Sequence, residues 1–251
     1  EALKSFLDNK AAFYHEKWFV LDDPISIPHQ FTRKEDIEII AFLTATLAWG
    51  QRKMILKKCA ELVRLMDNSP YEFIMLVDDA QLMRFNKFVY RTFNGTDALY
   101  FLCALKEVYT HSGGLESIFT DGYKKYGHIK GTLQYFRDVF MSFQPMPRTS
   151  KHVANTAKGA SAKRLNMFLR WMVRADGIVD FGLWKDIPQS ALMIPLDVHV
   201  GNVARELGIL HRKQNDWQSV EELTKQLRLF RPSDPAYYDF ALFGLGIEEK
   251  F

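Results

Sequence analysis

Lys158-Gly159-Ala160-Ser161-Ala162-Lys163-Arg164-Leu165-Asn166-Met167-Phe168-Leu169-Arg170-Trp171-Met172-Val173-Arg174 joins a turn of small residues to a helical pattern. Leu165, Phe168, Leu169 and Met172 fall at the i, i+3, i+4, i+7 spacing that builds one apolar stripe along a helix. At about 100° per residue, Lys163, Met167, Arg170 and Arg174 project together on the opposite side. The pattern predicts a helix with one face buried and the other cationic, with a single thioether set among the charges.

The cationic face belongs to a longer band. No acidic residue occurs between Asp138 and Asp176, whereas Arg148, Lys151, Lys158, Lys163, Arg164, Arg170 and Arg174 all lie in that window. The whole chain carries a net charge of only +3, so the band is local, and such a band attracts a polyanion. A solvated face on a surface helix is the plainer reading of the same charges. Gly159, Ala160 and Ser161 favour the first, because the amides of a tight turn at a helix start can hold a phosphate.

The chain is 251 residues long, 47% hydrophobic and 25% charged, which is ordinary for a folded protein able to bury one substantial core. No apolar run of about 18 residues and no leader pattern is present, so the expectation is a cytoplasmic protein without a membrane span. Cys59 and Cys103 are the only cysteines and form no CxxC pair, which excludes disulfide scaffolds, thiolate zinc sites and a four-cysteine iron–sulfur cluster. Both sit in helical apolar patterns and are expected in the core.

Outward from the central stretch, helical periodicity dominates. Ala2 to Trp18 reads as one helix. Thr32-Arg33-Lys34-Glu35 has the form of a capping box, followed by a helix apolar nearly all round, which belongs in the core. Gly50-Gln51 breaks that helix, so Gln51 either faces a pocket or caps the next helix. Arg84 to Phe93 interleaves aromatics, Tyr90 among them, with cations; the pattern suits stacking on bases as well as core packing. In Ile194-Pro195-Leu196-Asp197-Val198-His199-Val200, the proline disfavours helix for the residue before it, and a helix starts at Asp197, a natural N-cap. His199 lacks a second ligand at metal-binding spacing and reads as a packing or hydrogen-bonding residue. Asp234-Pro235 is expected to open the last helix, where Asp239 and Phe243 share a face.

No segment shows sustained period-two alternation, so the fold class is all-α. One compact helical unit is expected: a central bundle over about 36–143, a hairpin and catalytic region over about 150–208, and C-terminal helices at 217–251 packing with the N-terminal segment.

Taken together, these pieces resemble the helix-hairpin-helix DNA glycosylases, the superfamily of endonuclease III and the 8-oxoguanine glycosylases. The family hairpin reads Leu-Pro-Gly-Val-Gly-x-Lys, and Ala157 to Lys163 overlays it without the Leu-Pro and without the second glycine. Leu196-Asp197-Val198-His199 is similar to the family's Val-Asp-x-His element, and Gln51 after Leu43 to Gly50 to its Ser-x-Gln. The 33 residues between Lys163 and Asp197 look like the archaeal 8-oxoguanine glycosylase branch. Leu169-Arg170-Trp171-Met172-Val173-Arg174 and Pro195-Leu196-Asp197-Val198-His199-Val200 also resemble an uncharacterised bacterial family described only as a domain of unknown function.

The resemblance implies a glycosylase-like all-α fold of two helical subdomains with a cleft between them. It implies Lys163 as nucleophile and Asp197 as the required carboxylate. Gln51, Met167, Asp239, Phe243 and an aromatic such as Tyr90 would surround a flipped base. Lys151, Lys158, Gly159, Ser161, Arg164, Arg170 and Arg174 would hold the strand. The implied partner is double-stranded DNA with one damaged, 8-oxoguanine-like base, met by a monomer that uses no metal and no organic cofactor. A non-catalytic helix-hairpin-helix module binding DNA or structured RNA is the second expectation, and a protein-interaction scaffold the third.

Overall fold

The computed structural model describes residues 1–144, 146–249 and 251, the side chains of Lys17 and Phe19 excepted. Thirteen α-helices occur among the described residues. In chain order they begin with α1 (Ala2–Tyr14), α2 (Lys17–Leu21), α3 (Lys34–Leu47), α4 (Arg52–Leu65), α5 (Pro70–Leu76) and α6 (Asp79–Leu82). A two-residue hairpin, β1 (Val89–Tyr90) and β2 (Phe93–Asn94), precedes α7 (Gly95–His111), α8 (Leu115–Tyr126) and α9 (Ile129–Phe140). The chain ends with α10 (Lys163–Val173), α11 (Val198–Glu206), α12 (Trp217–Phe230) and α13 (Asp239–Ile247). The all-α class follows, with this hairpin as a minimal exception. No helix is long and apolar enough to cross a membrane among the described residues.

Two compact units divide the chain: residues 22–154, and residues 1–21 with 155–251. In the first, α3 is buried from Ile37 to Leu47, as its all-round apolarity requires. Phe42 stacks on Phe101 at 5.6 Å and meets Phe136 and Phe140 edge-on at 5.4 and 5.3 Å. The only polar group that α3 buries as a formal charge, Glu38, accepts a 2.7 Å hydrogen bond from Tyr109 on α7. Asn94 and Asp97 form a reciprocal capping box at the start of α7. Asp97, fully buried, also takes hydrogen bonds from Thr149 at 2.8 Å and from Arg148.

In the second unit α1 packs against α13, and α13 against α11. Tyr14 lies flat over Gly244, where an added Cβ would come within 2.5 Å of its ring, and its hydroxyl donates to Glu249 at 2.7 Å. Helix α10 runs through the unit with Leu165, Phe168, Leu169 and Met172 all buried, as the stripe predicts. Phe168 meets Trp184 edge-on at 5.4 Å, and backbone bonds from Phe181 and Trp184 to the last carbonyls of α10 fix the loop that follows it.

Several local expectations change. The opening helix stops at Tyr14 and restarts at Lys17. Thr32 to Glu35 forms no capping box: the N-cap is Arg33, and Asp36 instead accepts the Tyr71 amide at 2.8 Å. The last helix starts at Asp239, not Asp234, because Asp234 turns its carboxylate to Arg174 and a short 3-10 turn over Pro235–Tyr238 intervenes. Cys59 is buried as expected, but Cys103 is exposed.

The Tyr14 and Gly244 contact yields a direct test. Gly244→Ala should cost about 1–3 kcal/mol through overpacking, read as a lower midpoint in thermal denaturation; an unchanged midpoint would contradict the close packing.

Candidate active site

Lys163 opens α10, and the chain reaches it through a tightly determined corner. Residues 156–159 form a turn in which Gly159 has φ +82°, a conformation that favours glycine, with open space where a Cβ would stand. Ala162, immediately before the lysine, also adopts a left-handed conformation (φ 52°, ψ 37°), which costs roughly 1 kcal/mol for a residue with a Cβ. Buried Asn166 holds this corner by donating to the Ser161 carbonyl at 3.1 Å.

Asp197 opens α11. One carboxylate oxygen accepts the Val200 amide at 3.0 Å and so caps the helix. The other lies 3.8 Å from the Lys163 amine, and both side chains keep about a quarter of their surface exposed (24% and 22%). Residues 34 positions apart along the chain therefore present an amine and a carboxylate together, both partly exposed.

The rest of the charged face of α10 points elsewhere. Arg170 and Arg174 are 2% and 4% exposed, and this removes them from a strand-holding surface. Arg170 donates to Asp180 at 3.2 Å and to Asp239, and its guanidinium lies 4.4 Å over the Phe240 ring. Arg174 donates to Asp180 at 3.0 Å, to Asp234 at 2.8 Å and to Asp176. His15 on the segment after α1 completes the network, with Nε2 2.9 Å from Asp176. Two buried guanidinium groups thus meet four carboxylates, the arrangement buried charges require. The sequence held a signal for this: the acid-free window closes on Asp176 and Asp180, directly after Arg174.

Asp239 is consequently engaged by Arg170 and not presented freely, as reading a base edge would require. Burial raises its pKa to about 6, against the opposing pull of Arg170 and Lys163, while Asp197 adds to the rise. Asp239 therefore senses the charges of both proposed catalytic groups. Met167 is buried at 8% exposure, and Phe243 is half-buried with its ring 6.4 Å from that of His199. Arg164 is half-buried, and desolvation lowers its pKa. Lys158 is exposed.

The turn departs from a phosphate-gripping hairpin. A short 3-10 turn over Thr149–His152, not an α-helix, leads toward it. Its amides are spent internally: Lys158 donates to the Asn155 side chain at 3.0 Å, Gly159 to Thr156 at 3.0 Å and Ala160 to Asn155 at 3.1 Å. The Lys158, Gly159 and Ala160 amides thus serve the corner before α10, and the expectation that they hold a strand is corrected.

Three expected site residues lie in the other unit. Gln51 is exposed at the start of α4, and its side chain does not cap that helix. Tyr90 is 5% exposed and donates its hydroxyl to the Trp49 carbonyl, so it is a packed residue and not a free stacking surface. The guanidinium of exposed Arg91 lies 4.5 Å over the Trp49 ring, a pairing that the helical periodicity of the sequence did not signal. Lys151 is exposed.

The carboxylates of the network have opposite pH signatures. Burial raises the Asp176 pKa, but the His15 hydrogen bond, the Val179 and Ile178 amides and Arg174 outweigh it and leave it well below the usual range. Its stabilisation is present above about pH 3.8 and is lost as pH falls. The Asp239 pKa is raised, so its contribution to stability declines as pH rises from 3.8 to about 6. Asp176→Asn should therefore cost about 3 kcal/mol at neutral pH and flatten the acid-side loss of stability. Asp239→Asn should steepen the rise of the melting temperature across that same interval; thermal melts at a series of pH values check both signs.

No curated protein and no solved structure gives a match to the chain. One family does match, over residues 23–248, and this span holds α3 to α13 and both Lys163 and Asp197. The chain belongs to the family described as Protein of unknown function (DUF2400).

Proposed function

We propose that this protein is a DNA base-excision glycosylase with lyase activity, related in its chemistry to the helix-hairpin-helix glycosylases and directed at an oxidised purine. The observation that carries the reading is the Lys163 amine 3.8 Å from the Asp197 carboxylate, both partly open to solvent. An amine for attack and a carboxylate for the charge that develops on the sugar are the two groups such a reaction needs.

A base within a duplex stack is out of reach of both groups, so the damaged nucleotide must be rotated out, at a cost of roughly a few kcal/mol. The Lys163 nitrogen, once deprotonated, forms a bond to C1′ as the bond from C1′ to the base breaks. The electron pair leaves with the base, and the proton shed by the amine balances the departing base. Ring opening with uptake of a proton at O4′ gives a protonated imine. Loss of a C2′ proton then expels the 3′ phosphate and nicks the strand. Asp197, held by its cap to Val200, stabilises the oxocarbenium character at C1′ and relays the lysine proton. Lys158 and Arg164, close in sequence to Lys163, are proposed as strand contacts, and Phe243 and Met167 as the apolar part of the base site.

The non-catalytic alternative relies on a hairpin that grips phosphate, and that turn spends its amides internally. The catalytic reading relies on the lysine and aspartate pair and is favoured. Borohydride reduces the imine to a stable protein–DNA adduct, so trapping on a duplex carrying one 8-oxoguanine tests it. Lys163→Gln should abolish the adduct while duplex affinity changes little, and Asp197→Asn should slow its formation by roughly 100-fold. Undiminished trapping by the Gln variant would remove Lys163 from the reaction.

A further inference from the structure

The separation of Lys163 and Asp197 is not set by their own attraction. A partly exposed ion pair at 3.8 Å contributes about 0–1 kcal/mol, too little to fix two helix starts against each other. Something in the backbone must do so, and one loop touches both. Resting on the reading of these residues as the reacting pair, we propose that the loop between α11 and α12, anchored by Asn215, is the spacer that sets the distance between the nucleophile and its carboxylate.

At one end the loop grips α11. The Asn215 side-chain oxygen accepts from Arg205 at 2.6 Å, and its amide nitrogen donates to the Asp197 carbonyl at 3.3 Å. Arg205 also donates to the carbonyls of Arg212 at 2.8 Å and Gln214 at 3.4 Å, so one side chain of α11 gathers the whole loop. Gly201 makes room for this: a Cβ there would stand 2.7 Å from the Asn215 oxygen and 2.9 Å from Arg205 Nη1. At its other end the loop grips the corner before α10. Trp217 donates its amide to the Gly159 carbonyl at 2.9 Å, and Asp216 pairs with Ala160 in an antiparallel bridge. Asp216 is itself stiffened, accepting from the Ser219 amide at 3.1 Å and from Arg212 at 2.8 Å.

The connection from Asp197 through Asn215 and Trp217 to Gly159 and on to Lys163 is therefore continuous, made of hydrogen bonds and backbone. Asn215 is a positioning residue; it need not touch substrate. Misplacing a reacting group by about 1 Å costs on the order of 100-fold in rate, so a small shift of this loop is large for chemistry and small for binding.

Single-turnover cleavage of the 8-oxoguanine duplex, with affinity measured separately, tests the proposal. Asn215→Ala should slow the chemical step by roughly tenfold or more while affinity stays within about twofold. Gly201→Ala should do the same, although alanine favours the helix by about 1 kcal/mol, so its defect cannot come from melting α11. Asn215→Asp keeps an acceptor for Arg205 but loses the N–H donated to the Asp197 carbonyl, and should be slowed by roughly tenfold or more, as Asn215→Ala is. Tyr238→Phe, which removes a 2.7 Å hydrogen bond to Asp8, serves as a destabilised control with unchanged chemistry. An unslowed Asn215→Ala, or an Asn215→Asp as fast as the parent, overturns the proposal. Should the parent protein leave the duplex intact, the enzymatic reading fails, and a crystal structure of Asn215→Ala decides the spacer by itself. Widening of the Lys163–Asp197 separation by about 1 Å supports it, and an unchanged separation overturns it.

Discussion

Two buried guanidinium groups, one on α10 and one at its C-cap, govern the unit that contains Lys163 and Asp197. Each would cost several kcal/mol to remove from water if left alone, so the fold must bring carboxylates to them from wherever the chain has them. Asp176 and Asp180 come from the loop after α10, and Asp234 and Asp239 from the start of the last helical segment. His15 ties in the N-terminal segment. Segments from three parts of the chain are thus obliged to meet around Arg170 and Arg174, and α10 has little freedom to rotate or slide.

That immobility is what the proposed reacting pair would need. The same helix carries Lys163 at its first position, two turns before Arg170, so the paired arginines hold the axis along which the lysine is presented. Asp239, raised to about 6 by burial against the pull of Arg170 and Lys163, is a member of the buried network through its bond to Arg170. A base reader at this position would act through a carboxylate already committed to Arg170.

Local physics made much of this legible. The apolar stripe of α10 and the all-round burial of α3 follow from periodicity, since burial on one side or on all sides leaves a pattern in consecutive residues. Asp197 was legible as an N-cap because the cap and its amide are three residues apart. The direction of the second face of α10 was not. Lys163, Met167, Arg170 and Arg174 look equivalent on a helical wheel, yet the first is partly exposed and the other three are buried. A helical wheel records angle and is blind to the carboxylates that other segments deliver. The short turn before α10 misled for a related reason: small residues mark a tight turn, but whether its amides face outward depends on Asn155, which takes two of them.

By itself the sequence determined the helical class, the position of most helices, and the presence of an amine and a carboxylate at two helix starts, because each is encoded within a few consecutive residues. Tertiary structure alone decided that those two groups stand 3.8 Å apart, that Arg170 and Arg174 are internal ties, and that a loop anchored at Asn215 reaches both helix starts. The physical reason is range. Helix periodicity and capping act over three or four residues, whereas the desolvation of a buried charge is relieved only by whatever partner the folded chain brings to it, at any distance in sequence.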